Sequence, residues 1–285
     1  MDSAFFWIQG RERRRSEMKK RYIPLILGLV ILFFFLLASL FPTLFTEYGR
    51  KEMFAPWLKA SSEHLLGTNS LGYDIWTELI YGAKDTIVIG LSSSVLALIL
   101  GVVIGTLSSF EGKLGEVFTF FTNIFVYLPK LVTLIVLSAF LGNSSITLIF
   151  LIAAFSWVGT SRVVKAKVRT LSSQPFIENC TLLGYSRMHT IIHHYVRNLR
   201  DLILSRFLSG VTSCIMMEST LSFLGFGDLY HPTWGTMVNF AWKRGAMLRH
   251  AYNYLLSPGF AIMALSLAFY FLSLFFEKRH EEIEY

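Results

Sequence analysis

No Gly-x-x-x-x-Gly-Lys-Ser/Thr loop occurs in the 285 residues, so the chain has no backbone cradle for the phosphates of ATP. A Gly-x-Ser-x-Gly nucleophile elbow is also missing, and no nucleophile and base can be paired. His189 and His193 share the spacing of a zinc-protease helix, but Thr190 stands where that chemistry needs a Glu base, and His194 does not complete a site. A basic surface is the simpler reading. Cysteine is limited to Cys180 and Cys214, one assigned to a loop and one to a span, which leaves no structural disulfide or metal framework. Low-complexity tracts are absent, and no segment between apolar runs is long enough to bury a core of its own. These absences set hydrolytic and metal chemistry aside. Any energy the chain uses must come from outside it.

Charge is scarce as well. With 16% charged and 53% apolar residues and a mean hydropathy of +0.52, there is too little polar surface to cover a soluble globule of this size. Apolar runs that suit the roughly 20 residues of a spanning helix occur at Tyr22 to Phe41, Ile87 to Leu107, Val117 to Leu141 and Leu255 to Phe276. Two further runs are less clean. Ser145 to Ser161 is short, and Leu202 to Phe226 carries Arg206 and Glu218. Six spans are expected, in an all-α membrane protein. Tyr22 to Phe41 is too long for a secretory signal and is expected to remain as an anchor.

The net charge of +7 is distributed in a way that argues against nucleic acid as a partner. Lys and Arg number 17 in the segments before the first span, at 108–116, at 162–200 and after the last span, against 7 in the alternate segments 42–86 and 227–254. The positive-inside rule then places both termini in the cytoplasm, with Arg11 to Arg21 facing anionic headgroups of membrane lipid. The expected organisation is a basic cytoplasmic segment 1–21, a first helix 22–41, an external segment 42–86, a core 87–276 with five further helices, and a tail 277–285. Within the core, 162–200 is the longest cytoplasmic loop.

Three stretches carry specific patterns. In the external segment, Pro42, Pro56, Trp57 and Trp76 suit an ordered interfacial cap. There, Leu66-Gly67-Thr68-Asn69-Ser70-Leu71-Gly72-Tyr73-Asp74 offers two glycines for turns and an aspartate able to cap a helix running toward Ala83. In the cytoplasmic loop, a short helix from about Phe176 to Leu183 is stopped by Gly184, and a second helix starts near Ser186, which forms an elbow. Leu182, Leu183 and Tyr185 would give that elbow apolar contact, with Glu178 and Arg187 at its rim. An amphipathic segment lying on the inner leaflet is the competing reading. The third stretch, Glu218 to Gly235, runs from an apolar helix into a loop holding Gly225, Gly227, Pro232, Trp234 and Gly235.

All three resemble permease subunits of the oligopeptide, dipeptide and nickel branch of ABC importers, over about residues 64 to 276. The family's coupling motif reads Glu-Ala-Ala, three residues, then Gly, and this chain has Glu178-Asn179-Cys180-Thr181-Leu182-Leu183-Gly184. Asn179 and Cys180 replace two alanines, Arg197 stands at a family proline, and Asn69 and Tyr73 replace an acidic residue and an Arg. The resemblance implies a type I importer permease fold whose 176–198 loop couples to ATPase subunits through a coupling helix. It also implies a second related permease, two ATPases that bind ATP and Mg, an external solute-binding protein meeting the outer loop, and peptides or nickel or metal chelates as cargo.

Lys130 and Glu218 are ionisable groups well inside spans, where a charge facing lipid costs several kcal/mol. Each needs a partner, a lumen or an interface, and lining the translocation path or packing between subunits are both open. Lys130 follows Pro129, so a kink is expected there. A channel or secondary transporter working without ATP is the alternative, and would call for inverted repeats and polar groups converging at mid-membrane.

Overall fold

The computed structural model describes residues 22–185, 195 and 199–283. Helices dominate, and among the described residues the β content is a single bridge between Thr68 and Asp74. Five helices have the length and apolarity to cross a membrane: α1 (Tyr22–Leu40), α2 (Ile75–Ser109), α5 (Ser145–Ser172), α7 (Arg200–Leu221, continued by a turn over Ser222–Phe226) and α9 (Tyr252–Ile283). Between them lie α3 (Lys113–Tyr127), α4 (Lys130–Leu141), the short α6 (Pro175–Leu182) and α8 (Trp234–Lys243).

The expected third span is a broken one. Its halves, α3 and α4, meet at 87° across Leu128 and Pro129. Pro129 removes an amide and pushes Leu128 into extended backbone (φ −71°, ψ 128°), so the helix cannot continue through the pair. Neither half, at 15 and 12 residues, is long enough to cross alone. Counting the bent pair once gives six spans.

Three helices outrun their apolar segments. α2 begins at Ile75 and not near Ile87, α5 extends past Ser161 to Ser172, and α9 carries on to Ile283. The overhangs hold Glu78, Lys84 and Asp85 on α2 and Arg162, Lys165, Lys167 and Arg169 on α5. Charges of this kind end a hydropathy run without ending a helix, because an exposed helical turn still satisfies its own backbone.

The 42–74 segment caps one end of the bundle, and α6 lies at the opposite end. Gly72 O accepts from Phe54 N at 2.8 Å, Asn69 O from Trp57 N at 3.2 Å, and Leu58 O from Thr68 N at 3.1 Å. Both Gly67 and Gly72 take positive φ. The cap ends on Asp74, which accepts from Thr77 N at 2.7 Å and so starts α2, as the sequence suggests.

Helix α2 is the axis of the molecule. A stripe of small residues, Gly82, Ala83, Gly90, Ser94, Ala97, Gly101 and Gly105, lets neighbouring backbones come close. A Cβ on Gly105 would lie 2.6 Å from Ser161 O, and one on Gly101 2.7 Å from Thr160 Cβ, so α5 runs parallel to α2 in direct backbone contact. α7 runs the other way, with Ile215 against Gly90 and Ser94 Oγ donating to Phe207 O at 3.1 Å. α9 pairs with α7 through Ser205 Oγ to Ser273 O and Thr212 Oγ1 to Ser266 O. α1 completes the group, Gly28 abutting Ala268 of α9.

Because the α2–α5 seam is backbone against backbone, side-chain movement cannot make room at Gly105. We expect Gly105→Ala to cost about 1–3 kcal/mol by overpacking and Gly105→Val to cost more, read as falling thermal midpoints of the detergent-solubilised protein.

Candidate coupling elbow and outer loop

At the end opposite the cap, α5 turns through Ser173 and Gln174 into α6. Ile177 and Cys180 are buried, and Ile177 joins Val164, Val168 and Leu171 of α5 with Tyr195 and Leu199 in one apolar cluster. Ser172 Oγ and Tyr195 OH are 2.9 Å apart, which ties the chain beyond the elbow back to α5. Gly184 ends the helix with φ +77°, a left-handed value that a side chain would strain, and Tyr185 N donates back to Cys180 O at 3.1 Å. The elbow is therefore pinned on its inner face. On its outer face Leu182, Leu183 and Tyr185 are 79%, 74% and 50% exposed. The side chains of Glu178 and Asn179, all of Arg187, His189, His193, His194 and Arg197, and the expected second helix from Ser186 lie outside the described residues.

The loop at the cap end is built around two carboxylates. Glu218, at the end of α7, is fully buried and accepts from Ser222 Oγ at 2.6 Å, Thr233 Oγ1 at 2.7 Å and Ser219 Oγ at 3.3 Å. All three donors belong to its own chain, so the carboxylate ties α7 to the start of α8. Thr233 in turn caps α8, its side chain accepting from Thr236 N. Trp234, fully buried, donates Nε1 to Leu79 O at 2.8 Å and its amide to Thr86 Oγ1 at 3.1 Å, which moors α8 to α2.

Gly235 packs on the Ser219 backbone, and Gly227 is enclosed by Ser222 and Thr236. Gly225 takes φ +101° at the turn that ends α7. Pro232 is half-buried. These residues frame the loop from within. Its exposed tip is Leu229, Tyr230 and His231, which the sequence reading did not single out.

Asp228 was missed too. Oδ2 accepts from Ser145 N at 2.9 Å and Ser145 Oγ at 2.8 Å, and Oδ1 from Tyr230 N at 2.8 Å, so the loop is clamped to the first turn of α5. Burial alone would raise its pKa. The donations from Ser145, Tyr230 and His231 outweigh it and pull the group down to about 2. The visible signal was an aspartate two residues before a loop tyrosine, the pattern of an Asx turn.

In the cap, Asn69 Nδ2 donates to Glu78 Oε2 at 2.7 Å while Oδ1 accepts from Leu71 N and Tyr73 N. An aspartate at 69 would set a second carboxylate against Glu78, so the amide here fits its neighbour. His64 Nδ1, also unforeseen, sits 3.0 Å from Asp74 Oδ2 and braces the α2 cap.

Lys130, just past the break, donates to Ser156 Oγ of α5 at 2.9 Å. It reaches a hydroxyl across helices.

Residues 97–282 fit the family model described as binding-protein-dependent transport system inner membrane component. The chain belongs to this family. It is thus a multi-pass inner membrane transport component. The oligopeptide transport system permease protein OppC of Bacillus subtilis (strain 168) is 29% identical over 75% of this chain and 72% of its own length. The dipeptide transport system permease protein DppC of Alkalihalophilus pseudofirmus is 28% identical over 89% and 84%. OppC of Lactococcus lactis subsp. cremoris is 27% identical over 79% of each.

Two outcomes follow from the carboxylates. Glu218→Ala leaves three buried hydroxyls without their acceptor, and we expect a loss of about 2–4 kcal/mol and poor accumulation in the membrane, with Glu218→Gln milder. Asp228 has a depressed folded pKa, so its contribution of about 2 kcal/mol is complete above the ordinary carboxylate range and lost as pH falls toward 2. Melting curves of parent and Asp228→Asn protein should accordingly differ at pH 7 and converge near pH 2.

Proposed function

We propose that the chain is the channel-forming subunit of an ATP-driven importer of peptides. It works beside a second, related permease, above two ATPase subunits that bind ATP and Mg, and below an external solute-binding protein. The observation that carries this reading is the elbow: an apolar tip of Leu182, Leu183 and Tyr185 held out from a rigid mount at the end of the bundle opposite the cap. Exposed leucines on a pinned turn suit insertion into a groove of another protein. The peptide cargo is supported by the names of the relatives, which are oligopeptide and dipeptide permeases.

The orientation follows from charge. The elbow end is cytoplasmic, in keeping with the basic excess of 17 against 7, and the cap and the 227–233 loop face outward, toward the binding protein. When ATP binding closes the ATPase pair, the elbow moves with it. Its inner face is built on Val164, Val168 and Leu171, so the displacement enters α5 directly. Helix α5 is locked to α2 at Gly101 and Gly105, and the two turn together against α7. The break at Leu128 and Pro129 lets α4 follow without dragging α3.

The test is co-purification from mild detergent followed by uptake in whole cells. Tagged parent protein should bring down an ATPase subunit, and Leu182→Asp/Leu183→Asp should lose it while keeping the chain in the membrane. Gly184→Asp should abolish uptake at normal membrane levels, and Gly184→Asn, which tolerates the left-handed turn, should retain more. A parent that never captures an ATPase, or a double variant that captures it as well as the parent does, would remove the elbow from the mechanism.

A further inference from the structure

Behind the break in the third span, α2, α4, α5 and α7 enclose a cleft of about 310 Å³. Lys130 and Arg206 both line it, together with the hydroxyls of Ser94, Ser156, Thr160 and Ser213. No carboxylate lies among the lining residues. Lys130 Nζ has Ser156 Oγ at 2.9 Å, and Arg206 Nε is buried without a hydrogen-bond partner. Neither cation forms an ion pair among the described residues. Both lie on spanning helices or the bent pair, where an uncompensated charge is costly and two neighbouring ones are costlier.

Such a site is short of an anion. The hydroxyls are neutral and cannot supply one, and those of Ser94, Ser209 and Ser213 already donate to Phe207 O, Arg206 O and Ser209 O on the backbone of α7. They leave the wall polar and uncharged between the two cations. That arrangement solvates a passing group more readily than it anchors a permanent one. Every linear peptide, whatever its sequence, ends in one carboxylate. A cation pair that reads this group alone would serve a carrier of varied peptides.

We propose that this cleft receives the C-terminal carboxylate of the peptide during passage, with Arg206 and Lys130 as its charge partners and the Ser156 and Thr160 hydroxyls as supporting donors. The inference rests on the peptide-importer reading above, and makes the cleft a specificity element of the path.

The experiment uses the complete importer in proteoliposomes, at saturating and equal occupancy of the binding protein, with one peptide offered as the free acid and as its C-terminal amide. Parent protein should carry the acid about tenfold faster than the amide. Arg206→Gln and Lys130→Gln should slow the acid selectively and bring the two rates within about threefold, while Arg206→Lys keeps the preference. Ser213→Glu, which supplies a fixed anion on an exposed position of the wall, should also remove it without deleting a cation. An acid preference that survives Arg206→Gln, or acid and amide rates that fall by the same factor, would overturn the proposal and assign the missing anion to a lipid phosphate or a carboxylate of the partner permease. A parent importer that carries neither form overturns the peptide reading itself, and this proposal with it.

Discussion

A buried carboxylate that forms no ion pair among the described residues organises the cap-end half of this protein. Glu218 is acceptable in the interior because three hydroxyls donate to it, and those hydroxyls sit on the end of α7, the turn after it and the cap of α8. Each is local in chemistry but joins elements that would otherwise separate. From there the constraint spreads: Thr233 fixes the start of α8, Trp234 then reaches Leu79 and Thr86 of α2, and the loop between is stretched so that Asp228 meets Ser145 of α5. Three spanning helices are thus registered to one another by polar groups at one end. In lipid, where apolar burial distinguishes poorly between partners, such hydrogen bonds do much of the specifying.

The opposite end is organised by shape. Between Gly90 and Gly105 the stripe on α2 admits the backbone of α5 and the Ile215 side chain of α7, and the elbow grips the far end of α5 through aliphatic packing. Contacts of this kind transmit displacement because they leave no gap to absorb it. The polar knot and the small-residue seam therefore act at different depths. One sets register, the other stiffness.

Much of this was legible in the residues. Gly184 after an apolar turn announced the end of α6, Asp74 after two glycines announced the start of α2, and Pro129 announced the break, since each works through its own backbone. The helix limits were not legible, because charges such as Lys84 and Arg162 end an apolar run while the helix goes on. Nor were the partners of the buried charges. Glu218 finds Thr233 across a loop, Lys130 finds Ser156 across a bend, and Arg206 comes to share a wall with Lys130 only through the packing of α4 and α7 around α5 and α2. Tertiary meetings of this kind leave no period in the chain to read.

Helix α5 unites the two halves of the proposed mechanism. Val168 and Leu171 at one end hold the elbow, Ser156 and Thr160 midway along line the cationic cleft, and Ser145 at the other end is clamped by Asp228. A helix is stiff along its axis, so a push at Leu171 arrives at Ser156 with little loss and meets resistance at Ser145. The cleft wall must then shift against α7, which the Glu218 knot holds in place. A carboxylate bridging Arg206 on α7 and Lys130, whose ammonium rests on Ser156 of α5, would span the two surfaces that slide past each other. Its grip would weaken as they part. Motor stroke and cargo release would in that case be one event in the same helix pair, with no separate gate between them.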